Sequence, residues 1–133
     1  MTSPLLCGID LGTTNSVLSI IRNGQPEAVP VDNGSAVVPS VLSHDETTGR
    51  ILVGREAKNR LAAFPQCTAR SIKRLMGTDK TVELGSLRLS PEEASAHILR
   101  YLTRQGSELL GRPIRDVVIT VPAYFDDAQR RAT

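Results

Sequence analysis

Asp10-Leu11-Gly12-Thr13-Thr14-Asn15-Ser16 separates two apolar runs. Leu5-Leu6-Cys7-Gly8-Ile9 precedes it, with the brevity of a buried strand. Val17-Leu18-Ser19-Ile20-Ile21 follows, equally apolar and rich in β-branched residues. The spacing predicts two strands joined by a tight hairpin. Its turn carries a carboxylate, a glycine and four small polar side chains. Such a turn offers backbone N–H groups and hydroxyls to an anion. Its carboxylate can hold the anion's divalent cation through water, since Mg²⁺ dehydrates reluctantly. The same residue types also make an ordinary polar turn, and composition does not separate the two readings.

Working outward, Asn23-Gly24 predicts a second hairpin, because both central positions of a type I′ turn need positive φ. A third strand is expected over residues 27–31. Asp32-Asn33-Gly34-Ser35 then breaks the pattern and marks a crossing into a different unit; its Asn-Gly-Ser sequon carries no weight in a cytoplasmic chain. Residues 38–44 and 51–53 read as short strands around a polar turn at 45–50. Residues 55–64 predict a helix stopped before Pro65, and residues 69–76 a second one closed by Gly77.

The stretch from Ser90 to Leu110 gives the clearest signal. Ser90-Pro91-Glu92-Glu93 is a capping box with proline at the first helical position. Ala94, Ile98, Tyr101, Leu102, Leu109 and Leu110 form one core-facing stripe. Gly111 and Pro113 end the helix. Residues 117–121 are apolar enough to predict a central strand buried on both faces, ended by Pro122. Asp126 opens another helix, with Gln129 as its box partner. The sequence stops about two turns later, and such a short helix is marginal alone, so a piece of a longer chain is expected.

The chain has 133 residues, 40% hydrophobic and 23% charged. That suits one globular unit with a sizeable core. Aromatics are only 3% and tryptophan is absent, so the core must be aliphatic. A net charge of +2 without an aromatic-interleaved basic run argues against a nucleic-acid surface. Cys7 and Cys67 form no metal-ligand pattern, and their small number fits a reducing cytoplasm. Cys7 belongs to an apolar run and is expected in the core. Pro4-Leu5-Leu6-Cys7 lacks the basic leader and apolar segment of a lipoprotein signal. No run nears the roughly 18 apolar residues of a membrane span. His44 and His97 stand alone and read as structural or exposed.

Ile9 to Ser16 resembles the first phosphate motif of the seventy-kilodalton heat-shock chaperones, the DnaK-like ATPases. Three more stretches resemble that family in the same order: Pro39-Ser40-Val41; Ser71-Ile72-Lys73-Arg74-Leu75-Met76-Gly77; and Val118-Ile119-Thr120-Val121-Pro122-Ala123-Tyr124-Phe125 with Asp127-Ala128-Gln129-Arg130-Arg131 behind it. Leu52-Val53-Gly54 is a weaker match. The first turn is shared with sugar kinases and actin-like proteins, whereas the last stretch is far more specific. Residues 78–89 are shorter than the insert of common members, which resembles the compact HscC-type branch. Val17 stands where many members carry a cysteine, so thiol regulation is not carried over.

The resemblance implies an α/β fold: part of a ribonuclease-H-like, actin-like ATPase lobe with an inserted α+β subdomain. The order of predicted elements fits it. Residues 1–37 and 90–133 would belong to the core lobe and residues 38–89 to the insertion. The implied cofactors are ATP or ADP and Mg²⁺. Asp10 would hold Mg²⁺, while Gly12, Thr13, Thr14 and Asn15 would cradle phosphate oxygens. Lys73 would reach the γ-phosphate, neutralise developing charge and help place the attacking water; the role is carried to Lys73 and not to Arg74. By itself Lys73 is one of sixteen basic residues and reads as a solvated lysine. Pro122 and Arg130 match positions that relay nucleotide state; on bland readings they end a strand and decorate a helix. Tyr124 and Phe125 are expected to pack at the lobe edge.

The resemblance further implies unfolded peptide clients, a J-domain co-chaperone and a nucleotide exchange factor as partners of the longer protein. Nucleic acid and membrane are not expected. The family's second phosphate loop, adenosine-binding segment and second lobe are not in this sequence. The isolated chain is therefore expected to bind ATP weakly, to lack ATPase activity and to self-associate through uncovered apolar surface. Two other readings stay open at this point. One is a piece of a sugar-kinase-like enzyme sharing the phosphate turn. The other is a non-catalytic module that binds a partner through residues 55–77.

Overall fold

The computed structural model describes residues 5–133; Pro4 of the leader-like stretch lies outside them. β1 (Cys7–Leu11) and β2 (Asn15–Arg22) form the predicted hairpin, with register Cys7↔Ile20 through Leu11↔Ser16. Both strands reach into the polar stretch, so the turn narrows to residues 12–14. Asn23 and Gly24 take φ of 54° and 76°, as the type I′ reading requires. β3 (Gln25–Ala28) follows, shorter than predicted and exposed throughout. It is an edge strand, where Pro26 is tolerated. Pro30, lacking an N–H, prevents the ladder from continuing, and Val29 and Val31 turn into the core instead.

β4 (Val38–Pro39), β5 (Val41–Asp45) and β6 (Arg50–Val53) come next, then one helical turn, α1 (Arg55–Lys58). β7 (Thr68–Arg70) leads to a 3-10 turn at Ile72–Leu75. β8 (Val82–Leu84) and β9 (Leu87–Leu89) make a small hairpin. α2 (Pro91–Leu110), β10 (Val117–Thr120) and α3 (Asp127–Ala132) complete the chain. The largest sheet runs β10-β1-β2-β3, with β4 also pairing with β2; β1 and β10 are parallel and the other pairs antiparallel. A second sheet runs β6-β5-β7 and a third is β8-β9.

The architecture is mixed α/β, with a core that is aliphatic apart from buried Cys7, Met76 and Phe125. Ile9, Leu18, Leu42, Ile72, Leu84, Ile98 and Leu102 belong to one continuous cluster at 0–2% exposure, crossing all three sheets and α2. Cys7 lies in it, and burial pushes its thiol pKa up. Val41, Leu52 and Ala57 make a satellite cluster. α2 keeps both halves of its capping box and ends at Gly111, with φ of 65°. α3 has the predicted box between Asp126 and Gln129.

Four expectations need correction. The predicted helix at residues 55–64 is helical only to Lys58; Arg60 and Leu61 donate to the third residue back, giving turns. Gly54 supplies no side-chain cap, and Ala57 is the helix's one buried side chain, too little to sustain more turns. The predicted helix at 69–76 is instead β7, a left-handed Ser71 (φ 58°) and the 3-10 turn, because residues 68–70 pair with β5. The strand expected at residues 117–121 is β10, Val117–Thr120, an edge strand paired on one side with β1 among the described residues and inner-facing only at alternate positions. Val118 is 71% exposed. Leu109, placed on the buried stripe of α2, is exposed. With Leu6 and Ile21, Val118 leaves an apolar patch on one face of the large sheet.

Candidate nucleotide site

The turn at residues 12–14 is held by contacts from far along the chain. Ser40 donates its backbone N–H to the Thr14 carbonyl (2.9 Å) and its hydroxyl to the Gly12 carbonyl (2.9 Å). Ser16, fully buried, lies 2.8 Å from the same hydroxyl. With Ser40 donating to Gly12, Ser16 is the donor to Ser40. Pro39 and Val38 pair with Asn15 and Ser16 in the sheet, which brings Ser40 over the turn. A Cβ on Gly12 would run into the backbone carbonyl of Asn15. The turn itself therefore requires glycine there, independently of any ligand.

Thr13, Thr14 and Asn15 lie at the surface. Among the described residues no hydrogen bond engages their side chains, so the two hydroxyls and the amide are free for a ligand. A cleft of about 330 Å³ opens beside them, lined also by Lys58, Arg70 and Arg74. Arg74, set aside in the sequence reading, thus faces the same cleft as both threonines.

Asp10 ends the accessible part of β1 and is exposed. It sits directly opposite Thr120 of β10, whose hydroxyl donates to Asp10 Oδ1 at 3.2 Å. The Ile9 carbonyl is a longer partner of that hydroxyl, at 3.4 Å. The second carboxylate oxygen has no partner among the described residues. An exposed hard-oxygen donor with one free oxygen suits Mg²⁺ held through its waters.

Lys73 is 9% exposed. The 3-10 turn brings it against the hairpin, where its ammonium donates to the Leu11 carbonyl, 62 residues away. The nitrogen also lies 5.5 Å from the centre of the Phe125 ring, a cation–π distance. Burial pushes its pKa down, and the Asp10 carboxylate partly opposes that. Among the described residues no carboxylate is within ion-pair distance of Lys73. A buried, unpaired ammonium is costly, and an incoming anion would relieve that cost.

Phe125 is buried and Tyr124 is 81% exposed; their rings meet edge-to-face at 5.8 Å. The Phe125 N–H donates to the Pro122 carbonyl at 3.1 Å, so Pro122 connects to Lys73 through one aromatic ring. Arg130 is exposed on α3, and no side-chain contact joins it to the turn among the described residues. A link does run from α3 to the Lys73 segment. Gly77, at φ of 79°, lies so close to Gln129 that a Cβ would sit 2.9 Å from its Cγ and 3.2 Å from its backbone nitrogen. The structure thus gathers Asp10, Gly12, Thr13, Thr14, Asn15 and Lys73 around one turn, and leaves Arg130 apart.

Ser16, Ser40 and Thr120 were missed as site residues. Ser16 and Ser40 lay inside stretches quoted for the resemblance, but nothing local distinguishes a latch serine from a turn serine. Thr120 could have been found from the parallel pairing of two strands that both end in polar residues.

Together these features define an α/β protein with a latched hairpin that presents free hydroxyls and backbone amides before a buried lysine. Comparison with known proteins then supplies the family. The family model described as "Hsp70 protein" matches residues 6–84 and 79–133. The chain is 50% identical over 133 residues to the chaperone protein DnaK of Mycoplasmopsis agalactiae, covering all of this chain and 22% of that protein. It is 47% identical over 133 residues to DnaK of Metamycoplasma hominis, with the same coverage. Against DnaK of Halobacterium salinarum identity is 46% over 134 residues, covering all of this chain and 21% of the relative. The chain belongs to the Hsp70 family, and it is DnaK-like, corresponding to the N-terminal part of such proteins. It spans about a fifth of the length of the curated relatives it matches.

Proposed function

We propose that this chain is the first portion of a chaperone's ATPase domain, in which residues 10–16 and Lys73 form one half of a site for ATP or ADP. The observation that carries this is the position of Lys73, brought across 62 residues against the hairpin and left without an anionic partner. In this reading the N–H groups of residues 13–15 and the two threonine hydroxyls cradle phosphate oxygens. Lys73 neutralises charge developing on the γ-phosphate and helps place the attacking water. Asp10, steadied by Thr120, would hold Mg²⁺ through water. That ion, when bound, would neutralise the phosphate chain.

The β10-β1-β2-β3 sheet and α2 support assignment to a ribonuclease-H-like core lobe, formed by residues 1–37 and 90–133. Residues 38–89 would be its α+β insertion. Pro122, Phe125 and the Gly77–Gln129 contact support a relay between Lys73 and the surface; Arg130 would act from α3 on parts beyond this chain. The longer protein would couple ATP hydrolysis to capture and release of unfolded peptides in the cytoplasm, assisted by a J-domain co-chaperone and a nucleotide exchange factor. Among the described residues no helix is long and apolar enough to cross a membrane.

The test is calorimetric titration with Mg·ATP. The longer protein is expected to bind and hydrolyse it, and Lys73→Ala to retain binding while losing hydrolysis. Unchanged hydrolysis in Lys73→Ala would overturn the assignment of the lysine. The 133-residue chain alone is expected to show no micromolar affinity, because it supplies one side of the site. Its apolar patch at Leu6, Ile21 and Val118 is expected to drive self-association; a clean monomer by light scattering would refute that.

A further inference from the structure

On the side of α2 turned toward β6, two hollows of about 380 and 430 Å³ share Arg50, Glu56, Tyr101 and Gln105, and so run together as one groove. One wall is α2 from His97 to Leu109, about 18 Å at 1.5 Å per residue. The opposite wall is β6 along the first hollow and Pro30, Val31, Asn33 and Gly34 along the second; among the described residues β6 pairs only with β5. The groove's charge is uneven. Its larger-numbered end holds Glu108 and exposed Leu109. Its other end holds Arg100 and Arg104 and no carboxylate of its own, while Arg50 and Glu56 line both hollows and offset each other. None of the three arginines forms an ion pair among the described residues.

We propose that this groove docks an extended acidic segment of a partner protein, with carboxylates at alternate positions and an apolar residue beyond them. The spacing carries the argument. Arg100 and Arg104 stand four apart on a helix, which places their Cβ atoms about 5–6 Å from each other. Alternate residues of an extended chain point the same way about 6.6 Å apart. A segment of five or six residues fills the groove's length at about 3.3 Å each, with its carboxylates over the two guanidiniums and an apolar side chain reaching Leu109. The free edge of β6 borders the half that holds Arg100 and Arg104 and offers backbone groups to a chain in that conformation. Charge-assisted pairs to arginine favour carboxylate over neutral side chains.

Fluorescence polarisation with a labelled peptide bearing two glutamates two residues apart and a leucine beyond them tests this. Binding to the chain is expected, and it should weaken at least tenfold in Arg100→Glu/Arg104→Glu. The matched control Lys80→Glu/Arg115→Glu, at exposed positions outside the groove, should retain it. Circular dichroism checks that both variants keep the helix content of the parent chain. Absence of binding at low salt overturns the proposal. So does equal loss in the control, which would mark a net-charge effect. Equal binding by a peptide locked into a helix, or competition at matched charge by inorganic phosphate, anionic vesicles or single-stranded DNA, overturns it as well.

Discussion

α2 and the segment from α1 to the 3-10 turn are held in place by opposite means. α2 carries its own instructions: Ser90 and Glu93 cap each other's backbone, Gly111 closes the far end, and Ala94, Ile98 and Leu102 face inward at helical spacing. The α1-to-3-10 segment is positioned by distant chain. The Arg60 guanidinium donates to Ser43, while Thr68 lies 2.9 Å from the same hydroxyl. Lys73 anchors on Leu11. The first arrangement gives a strut that forms wherever the chain puts it. The second delivers a side chain to a place no local rule could specify, and that side chain is Lys73.

The largest way to break this contrast is Leu102→Ala. Removing a fully buried leucine from the strut should cost about 2–5 kcal/mol, read from urea unfolding; a cost below 1 kcal/mol would show that α2 does not anchor the core. Ser40→Ala comes next. It removes the latch between Ser16 and Gly12, leaving the buried Ser16 hydroxyl and the part-buried Gly12 carbonyl without their partner, and about 1–3 kcal/mol should be lost. Ser90→Ala should cost about 1 kcal/mol through the lost cap, whereas no comparable cap exists at α1 to lose.

Ser71→Gly should have a small effect of opposite sign. A left-handed non-glycine residue is strained by roughly 1–2 kcal/mol, partly offset by the extra freedom glycine gives the unfolded chain. A modest rise in unfolding midpoint is expected, and a fall would mean that Ser71 is held by something other than strain. The smallest signal is the pH dependence of Lys73. Its folded pKa lies below the ordinary value of 10.5, so the charged form is disfavoured in the folded state. That handicap is complete below the folded pKa and fades as pH rises through it toward 10.5. Stability of the parent chain should therefore gain on Lys73→Met as pH rises toward 10.5, followed by thermal melts; parallel curves would place Lys73 in water.

The same contrast explains what could be read in the amino acids. Ser90, Pro91 and Glu93 announce α2 because capping is a contact three residues long. Asn23-Gly24 announces its turn because a backbone angle is a property of one residue. Residues 69–76 misled because Ile72, Leu75 and Met76 have helical spacing, while the pairing of Thr68 with Ser43 that overrides it is invisible locally. The hairpin at β8-β9 was missed although Gly85-Ser86 between apolar pairs is a legible turn signal. Val118 misled differently: its hydrophobicity correctly marks a surface suited to burial, but the described residues place nothing over it. At the site, Asp10 and the threonines were legible as a motif and Lys73 only through family resemblance, while Ser40 and Thr120 stand in the resembling stretches with nothing local to mark their roles.

The parallel pairing of β1 with β10 also has a consequence in time. Asp10 meets Thr120, 110 positions further along the chain. At a synthesis rate of about 5–20 residues per second, β1 emerges roughly 5–20 s before the strand that completes its edge. The β1-β2 hairpin closes in about 1–10 μs, so throughout that interval the newborn chain displays a formed hairpin with one open side. The edge of β1 that Thr120 will cover is thus the last part of this sheet to be protected.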